Sequence, residues 1–128
     1  ILAELQDGHA DMIETQKLIK KVSKPRIKAA YIYNRALEKT KELGYANHFM
    51  GIGTESVRFV GHGIGLEVDE YPFLAAGQPL ELQAGMTIAL EPKLIFPGKG
   101  VVGIENTHVV TADGLEQLGR FPEDIIVV

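Results

Sequence analysis

Residues Met86 to Thr111 read MTIALEPKLIFPGKGVVGIENTHVVT, and they carry the strongest fold signal in the chain. Two apolar runs rich in β-branched residues, Met86 to Phe96 and Val101 to Thr111, flank the segment Pro97-Gly98-Lys99-Gly100. Proline and glycine together mark a turn, and β-branched runs on both sides of a turn favour strands. The stretch therefore predicts a β-hairpin.

The length of the turn decides which residues face each other across the hairpin. A three-residue loop over 97–99 places Phe96 opposite Gly100. The same register continues to Glu91, which then lies opposite Glu105. A two-residue loop would instead put the two glutamates on opposite faces, because side chains alternate along a strand. We predict the three-residue loop, since the neighbours of both acids on that face are small and leave room for a ligand.

Two glutamates in that register need something to offset their charge. Directly opposite residues have Cβ atoms about 4.5–5.5 Å apart. Carboxylates at that distance repel unless one is protonated or a cation lies between them. One interpretation is an amphipathic hairpin whose Glu91 and Glu105 face solvent. The other is a ligand site, which we favour because each acid stands alone in a run that looks buried on both faces.

A single histidine upstream supplies a third candidate ligand. Residues 61–70 read GHGIGLEVDE, where glycines flank His62 and would let the backbone pass close to a metal or substrate. An imidazole with carboxylates suits manganese, iron, cobalt or zinc, and a satisfied core histidine is the alternative. We expect His108 to face away from the acids, and His9 and His48 to be solvated.

The rest of the chain predicts an α+β fold. Apolar residues recur at steps of three and four over two segments of the first third, which predicts helices, and Gly44 is expected to cap the second. We expect the helices to pack on one face of a curved antiparallel sheet. The elements predicted outside the hairpin are helices from about Gly8 to Val22 and Ile27 to Leu43, a strand Val57 to Val60, an extended loop Tyr71 to Gly85 and a strand Leu115 to Leu118.

Composition narrows the class of protein. The chain has 128 residues, 45% of them hydrophobic and 23% charged, which fits one globular domain. A net charge of −4 without a basic stripe argues against a nucleic-acid partner. No apolar run approaches the length of a membrane span. The absence of cysteine excludes disulfides and thiol catalysis, and it suits a cytoplasmic protein.

The three candidate ligands, taken in order, lie in motifs of a known family. His62 within GHGIG, Glu91 within ALEPK and Glu105 within GIENT resemble the pita-bread-fold metallopeptidases of family M24. This family includes methionine aminopeptidase, Xaa-Pro aminopeptidase and prolidase, and the resemblance is greatest to the Xaa-Pro branch. It implies the pita-bread fold, a peptide or dipeptide substrate, hydrolysis of Xaa-Pro bonds by a metal-bound hydroxide, and a homodimer.

The resemblance also implies a ligand set and roles. In the family, two aspartates, one histidine and two glutamates hold two divalent ions, which can be manganese, cobalt, iron or zinc. The last three ligands match His62, Glu91 and Glu105, with Glu105 bridging both ions. The ions acidify water and polarise the scissile carbonyl, and Glu91 would also shuttle the proton.

The aspartate pair is the first departure from the family. In the family it lies upstream of the first helix, and Asp7 and Asp11 do not match its pattern. We therefore interpret residues 1–128 as the truncated C-terminal part of a catalytic domain. On that interpretation the isolated chain binds metal weakly or not at all and is inactive.

The second departure concerns the supporting histidines. The family places histidines that contact the substrate four residues before and seven after the ligand histidine, where this chain has Arg58 and Asp69. We expect both to bind substrate, and Asp69 to be a candidate catalytic base. Asp69 keeps open a same-fold enzyme with other chemistry, such as a creatinase-like hydrolase or a lyase. A non-catalytic binding module is a further alternative.

Overall fold

The computed structural model describes residues 2–128 and has two helices packed on an antiparallel sheet. The elements are α1 (Ala3–Val22), α2 (Ala29–Glu42), a short 3-10 turn (Gly53–Glu55), β1 (Phe59–Gly63), β2 (Glu70–Ala75), β3 (Thr87–Leu90), β4 (Lys93–Phe96), β5 (Gly100–Gly103), β6 (Asn106–Thr111) and β7 (Gly114–Gln117). Five strands form the sheet in the order β2-β1-β3-β6-β7, and β4 and β5 form a separate two-stranded ladder. Within residues 2–128, neither helix combines the length and apolar character needed to cross a bilayer.

The first helix begins at Ala3, five residues before the predicted start at Gly8. The intervening residues are mostly good helix formers, so the glycine does not mark the helix boundary. Gly8 is instead a contact point within the helix. A Cβ added there would lie 3.1 Å from the Phe96 ring and 3.2 Å from a Val102 methyl group. The glycine therefore lets α1 approach the β4–β5 hairpin closely.

The second helix ends at Glu42 with the predicted glycine cap. Gly44 has a φ of 89° and donates its N–H to the Lys41 carbonyl, while Tyr45 donates to the Thr40 carbonyl at 2.8 Å. These two bonds form a Schellman motif, which satisfies carbonyls that the end of a helix leaves free. The cap turns the chain back towards the sheet.

The central hairpin has the predicted register. Phe96 lies opposite Gly100, as a three-residue loop requires. Each predicted long strand is nevertheless broken in two, β3–β4 on one side and β5–β6 on the other. The break falls at Glu91-Pro92 because proline has no N–H to donate to a ladder. Across the break, Ile104 N donates to the Pro92 carbonyl at 3.2 Å, so the two bent strands stay together.

The region before the hairpin corrects two predictions. The strand predicted for 57–60 is β1, which extends to Gly63 and contains the histidine of the GHGIG motif. The segment predicted as an extended loop begins with a strand, β2, which contains Pro72 and lies at the edge of the sheet. An edge strand tolerates proline, since one of its sides needs no hydrogen-bond donors. The final strand, β7, matches the prediction within one residue at each end.

The two faces of the sheet differ in chemistry. Under the helices lies a core that joins sheet and helix residues, all nearly inaccessible to solvent. On the other face, His62 lies in register with Ala89 on β3, which in turn lies in register with Thr107 on β6. The helices thus cover one face of the sheet, and His62 lies on the other face. Core members include Met12, Ile19, Ile32, Ala36, Val60, Leu74, Ile88, Leu90 and Val110.

The half-buried histidines correct a further prediction. The ring nitrogens of His9 lie 3.1 Å from the Gly103 carbonyl oxygen and 2.6 Å from that of Glu123. In His48, Nδ1 lies 2.9 Å from the Ile95 carbonyl oxygen. Neither ring is simply solvated, because each lies against the backbone of the β4–β5 region. Both histidines lie in polar stretches of the sequence, which is why solvated rings were predicted.

His108 has an unusual environment on the helix side of β6. As predicted, it faces away from the acids, and it lies opposite the core residue Ile88. It is fully buried, and among the described residues neither ring nitrogen has a hydrogen-bond partner. Burial lowers the pKa of His108 to about 4 and Lys20 adds to the shift, whereas the nearby Asn106 backbone and Glu123 oppose it. The folded protein therefore holds this ring neutral.

This lowered pKa predicts a loss of stability in mild acid. As the pH falls, His108 of the unfolded chain binds a proton near pH 6.5, whereas His108 of the folded chain binds it only near pH 4. The free energy of unfolding therefore decreases as the pH drops from about 6.5 towards 4. By pH 5 the contribution of this group is a loss of about 2 kcal/mol. His108→Leu should remove that loss, because leucine does not titrate. Urea unfolding at pH 7.5 and pH 5 measures it.

A matched control separates titration from packing. Val110→Ala, at a buried position on the same strand, should lower the free energy of unfolding by a similar amount at both pH values. An unchanged pH dependence in His108→Leu would contradict the prediction.

Candidate metal centre

Three candidate ligands from three separate segments meet on the face of the sheet away from the helices. His62 comes from β1, Glu91 follows β3, and Glu105 precedes β6. The β3–β6 and β4–β5 ladders have the same register, so the two glutamates lie opposite each other as predicted. One ligand atom from each of the three residues lies within 4.8 Å of the others. The arrangement is that of side chains around a common point.

The histidine has a fixed orientation. Its side chain is only 4% exposed, and its Nδ1 lies 2.8 Å from the Gly63 carbonyl oxygen. A carbonyl accepts hydrogen bonds but cannot donate them, so Nδ1 carries the proton and Nε2 is left with a lone pair in the neutral ring. Nε2 lies 3.4 Å from Oε2 of Glu91. A histidine held through one nitrogen, with the other directed at carboxylates, is oriented as metal-ligating histidines are.

The glutamates lie in a crowded electrostatic environment. Glu91 is 12% exposed, and the ammonium of Lys93 lies 3.3 Å from its Oε1. Burial raises the pKa of Glu105, and the neighbouring Glu91 carboxylate raises it further. Lys93 and His62 oppose that shift. A divalent cation between the acids would relieve the repulsion more fully than one lysine does.

Glycines around the ligands allow the backbones to approach closely. A Cβ added to Gly61 would lie far inside van der Waals distance of the Ala89 carbonyl oxygen, and one added to Gly63 would clash with the Tyr71 carbonyl. A Cβ on Gly103 would lie 2.6 Å from that of Lys93. The glycines of GHGIG therefore serve strand packing first, and this packing places His62 beside the glutamates.

The two predicted substrate-binding residues have different surroundings. Asp69 is 64% exposed, yet its Oδ1 lies 3.0 Å from Nε2 of His62, so the structure brings it against that histidine. Arg58 is exposed just before β1, and within residues 2–128 its side chain takes part in no ion pair. The roles assigned to Arg58 and Asp69 both stay predictions.

Sequence reasoning missed a cavity beside Glu105. Its volume is about 220 Å³, and it lies along β5 and the residues that follow it. No pattern in the sequence indicated this space, because strand periodicity gives the faces of side chains and not the gaps between them. The cavity is lined by Lys93, Val101, Val102, Gly103, Ile104 and Glu105.

The donor set fits a divalent transition metal. One imidazole nitrogen and several carboxylate oxygens suit manganese, iron, cobalt or zinc. His62 has the fixed ring of a ligand, and among residues 2–128 Lys93 is the one lysine paired with the opposed glutamates. The residues present thus fit the metal that the sequence motifs imply.

Comparisons with known proteins agree with this geometry. The sequence profile of metallopeptidase family M24 matches residues 3–112. A probable dipeptidase PepE of Mycobacterium tuberculosis is 31% identical over 126 residues, which are 98% of this chain and 32% of that protein. An Xaa-Pro dipeptidase of Pyrococcus furiosus is 31% identical over 115 residues, which are 90% of this chain and 31% of that protein.

Solved structures give the same result for the fold. The X-Pro aminopeptidase of Thermotoga maritima superposes with a TM-score of 0.88 at 30% identity, over 99% of this chain and 34% of that chain. The prolidase from Pyrococcus furiosus superposes with a TM-score of 0.84, over 94% of this chain and 34% of its own.

This chain belongs to metallopeptidase family M24, and it adopts part of the pita-bread fold of those enzymes. It spans about a third of the length of the curated relatives it matches. The prediction of family and fold from the three short motifs is confirmed.

The close approach at Gly61 gives a stability prediction. Gly61→Ala should lower the free energy of unfolding by about 1–3 kcal/mol, because the new methyl group meets a carbonyl oxygen of the neighbouring strand. Gly119→Ala is the matched control, since a Cβ there would meet nothing within 4 Å. Urea unfolding of both variants measures the difference, and equal stabilities would contradict this account of the strand contact.

Proposed function

We propose that this chain is the C-terminal part of the catalytic domain of a metal-dependent peptidase that hydrolyses Xaa-Pro bonds. The observation that carries the proposal is the meeting of His62, Glu91 and Glu105 within 4.8 Å in a member of metallopeptidase family M24. The relatives named Xaa-Pro dipeptidase and prolidase support the substrate class.

The proposed metal centre holds two divalent ions. His62, Glu91 and Glu105 are the ligands from this chain, and two aspartates from the rest of the protein complete the set. When bound, the ions acidify water and polarise the scissile carbonyl. Glu91 is partly accessible and lies next to His62, so its carboxylate can take up a proton and pass it on.

The cavity beside Glu105 suits one side of the substrate. Val101, Val102 and Ile104 offer apolar surface, which suits an aliphatic or prolyl side chain. Lys93 adds a positive charge at the same place. A short peptide could therefore place apolar atoms in the cavity while its scissile bond lies near the glutamates.

A second candidate function is a same-fold enzyme with other chemistry. The observation that favours it is Asp69, which stands where the Xaa-Pro peptidases have a histidine and lies against His62. An ionised aspartate cannot donate a hydrogen bond to a developing negative charge, as a histidine can. A substrate panel that includes non-peptide amides separates the two candidates. Absence of metal from the full-length protein would point to a non-catalytic binding module instead.

The metal identity and the homodimer stay predictions from the resemblance, and the cytoplasmic location stays a prediction from the absence of cysteine. Analytical ultracentrifugation and metal analysis of the full-length protein address the first two.

A substitution in the full-length protein tests the proposed role of Glu91. Glu91→Gln should lower kcat for an Xaa-Pro dipeptide about 100-fold or more, because it removes both a ligand and a proton acceptor. Glu116→Gln is the control, as Glu116 is an exposed acid on β7. Steady-state hydrolysis measures both. Activity of Glu91→Gln equal to that of the control would contradict the proposal.

The isolated chain provides a second test. We expect purified residues 1–128 with added manganese to leave an Xaa-Pro dipeptide intact, because the aspartate ligands are absent. Chromatographic detection of free proline over a day of incubation measures this. Release of proline above that of the Glu91→Gln chain would overturn the assignment of this chain as an incomplete site.

A further inference from the structure

Helix α1 presents a buried amide to the back of the metal centre. Gln16 is only 3% exposed and lies on the buried face of the helix. Its Nε2 donates to the Leu90 carbonyl oxygen at 3.1 Å, and its Oε1 accepts from Nδ2 of Asn106 at 2.9 Å. A carbonyl oxygen only accepts hydrogen bonds, so the Leu90 contact fixes which end of the Gln16 amide is the nitrogen. Both polar ends of this buried side chain therefore have partners.

These two contacts fall on the residues next to the proposed ligands. Leu90 precedes Glu91, and Asn106 follows Glu105. Leu90 and Asn106 are also paired with each other, in the last rung of the β3–β6 ladder before the break. Because side chains alternate along a strand, Asn106 points towards the helices while Glu105 points to the opposite face. Gln16 thus holds, from behind, the rung that leads into both glutamates.

The glutamates themselves lie in a gap between two ladders. Pairing stops at the rung of Leu90 and resumes at that of Lys93. Within this gap, Glu91 N donates to the Val60 carbonyl oxygen at 2.9 Å, which ties it to β1 and not to the strand segment that carries Glu105. The separation of the two carboxylates therefore depends on how firmly the flanking rungs are held.

The C-terminal segment completes the network on the same side. Nδ2 of Asn106 also donates to Oε1 of Glu123 at 3.0 Å. A ring nitrogen of His9 lies 2.6 Å from the Glu123 carbonyl oxygen, and His9 precedes Gln16 by seven residues, which puts both on one face of α1. The Asn106 amide group is therefore held by two partners within the protein.

Packing alone does not account for an amide at this position. Met12 and Ile19, the buried neighbours of Gln16 one turn away on either side, are apolar and fully buried. A buried amide costs free energy unless its hydrogen bonds are made, and an apolar side chain would fill the same space without that cost. The two hydrogen bonds are what distinguishes Gln16 from those neighbours.

We propose that Gln16 is a positioning residue of the metal centre: by joining Leu90 to Asn106 from α1, it sets the separation of Glu91 and Glu105. The proposal rests on the metal centre of the proposed function, and it adds a residue that touches neither metal nor substrate. It gives α1 a role in the site besides covering the sheet.

Substitution of Gln16 in the full-length protein tests this role. Gln16→Met keeps an unbranched side chain of similar size and removes both hydrogen bonds. It should weaken Mn²⁺ affinity about tenfold, because outer partners that orient ligands contribute to metal affinity on that scale. Calorimetry measures this affinity. The visible absorption of bound Co²⁺ should also change, since it reports the ligand geometry of the loaded site, which a loss of stability alone would not alter.

The residue before Gln16 provides a matched control. Thr15 is fully buried on the same helix, and its hydroxyl donates to the Asp11 carbonyl oxygen at 2.8 Å, within α1. Thr15→Val should lower the free energy of unfolding and leave the Mn²⁺ affinity and the Co²⁺ spectrum unchanged. An equal loss of affinity in both variants would mean that α1 acts only through overall stability, and it would overturn the proposal.

A second variant reaches the same bond from the strand. Asn106→Leu should also weaken Mn²⁺ affinity about tenfold, and it decides the question if Gln16→Met does not fold. In the double variant, the loss should be smaller than the product of the two single losses, because both substitutions break one shared hydrogen bond. Losses that multiply would show that the two residues act independently, against the proposal.

The parent protein separates this proposal from the proposed function. If the parent binds Mn²⁺ and cleaves an Xaa-Pro dipeptide while Gln16→Met binds Mn²⁺ with the same affinity, the positioning role is refuted and the peptidase stands. A full-length parent that binds no divalent ion would contradict both.

Discussion

The shared register of the bent hairpin positions the whole metal centre. The ladders before and after the break have the same pairing, so Glu91 and Glu105 stay opposite although both strands change direction beside them. Pro92 interrupts the ladder, and Gly103 lets the backbone of the partner strand come close. The register, kept on both sides of the break, is what holds the two acids opposite each other.

Local patterns predicted the parts of the fold that local forces decide. The turn at 97–99 gave the register, and Gly44 gave the helix end, because each depends on a few neighbouring residues. The early start of α1 and the strand β2 were missed. Gly8 lies inside a helix at a point where a Cβ would come within 3.1 Å of the packed hairpin, and Pro72 lies in a strand at the edge of the sheet. Both depend on tertiary neighbours that a sequence window does not contain.

The candidate site also has parts that the sequence predicted and parts that it did not. His62, Glu91 and Glu105 were predicted because strand periodicity and family motifs constrain them. The contact between Asp69 and His62 was not predicted, since it depends on a six-residue loop held by Gly65 and by backbone bonds to β3. The cavity beside Glu105 was missed because strand patterns carry no information on the gaps between side chains. Loop closure and strand breaks are the features for which pattern reasoning has the least information.

An aspartate in place of a histidine changes what a metal centre can do. Asp69 lies 3.0 Å from Nε2 of His62, so a carboxylate stands beside the centre where a histidine would offer a hydrogen-bond donor. An ionised carboxylate cannot donate a hydrogen bond to a developing negative charge. The substrate would then have to be more reactive, or supply its own positive charge, for the same fold to hydrolyse it.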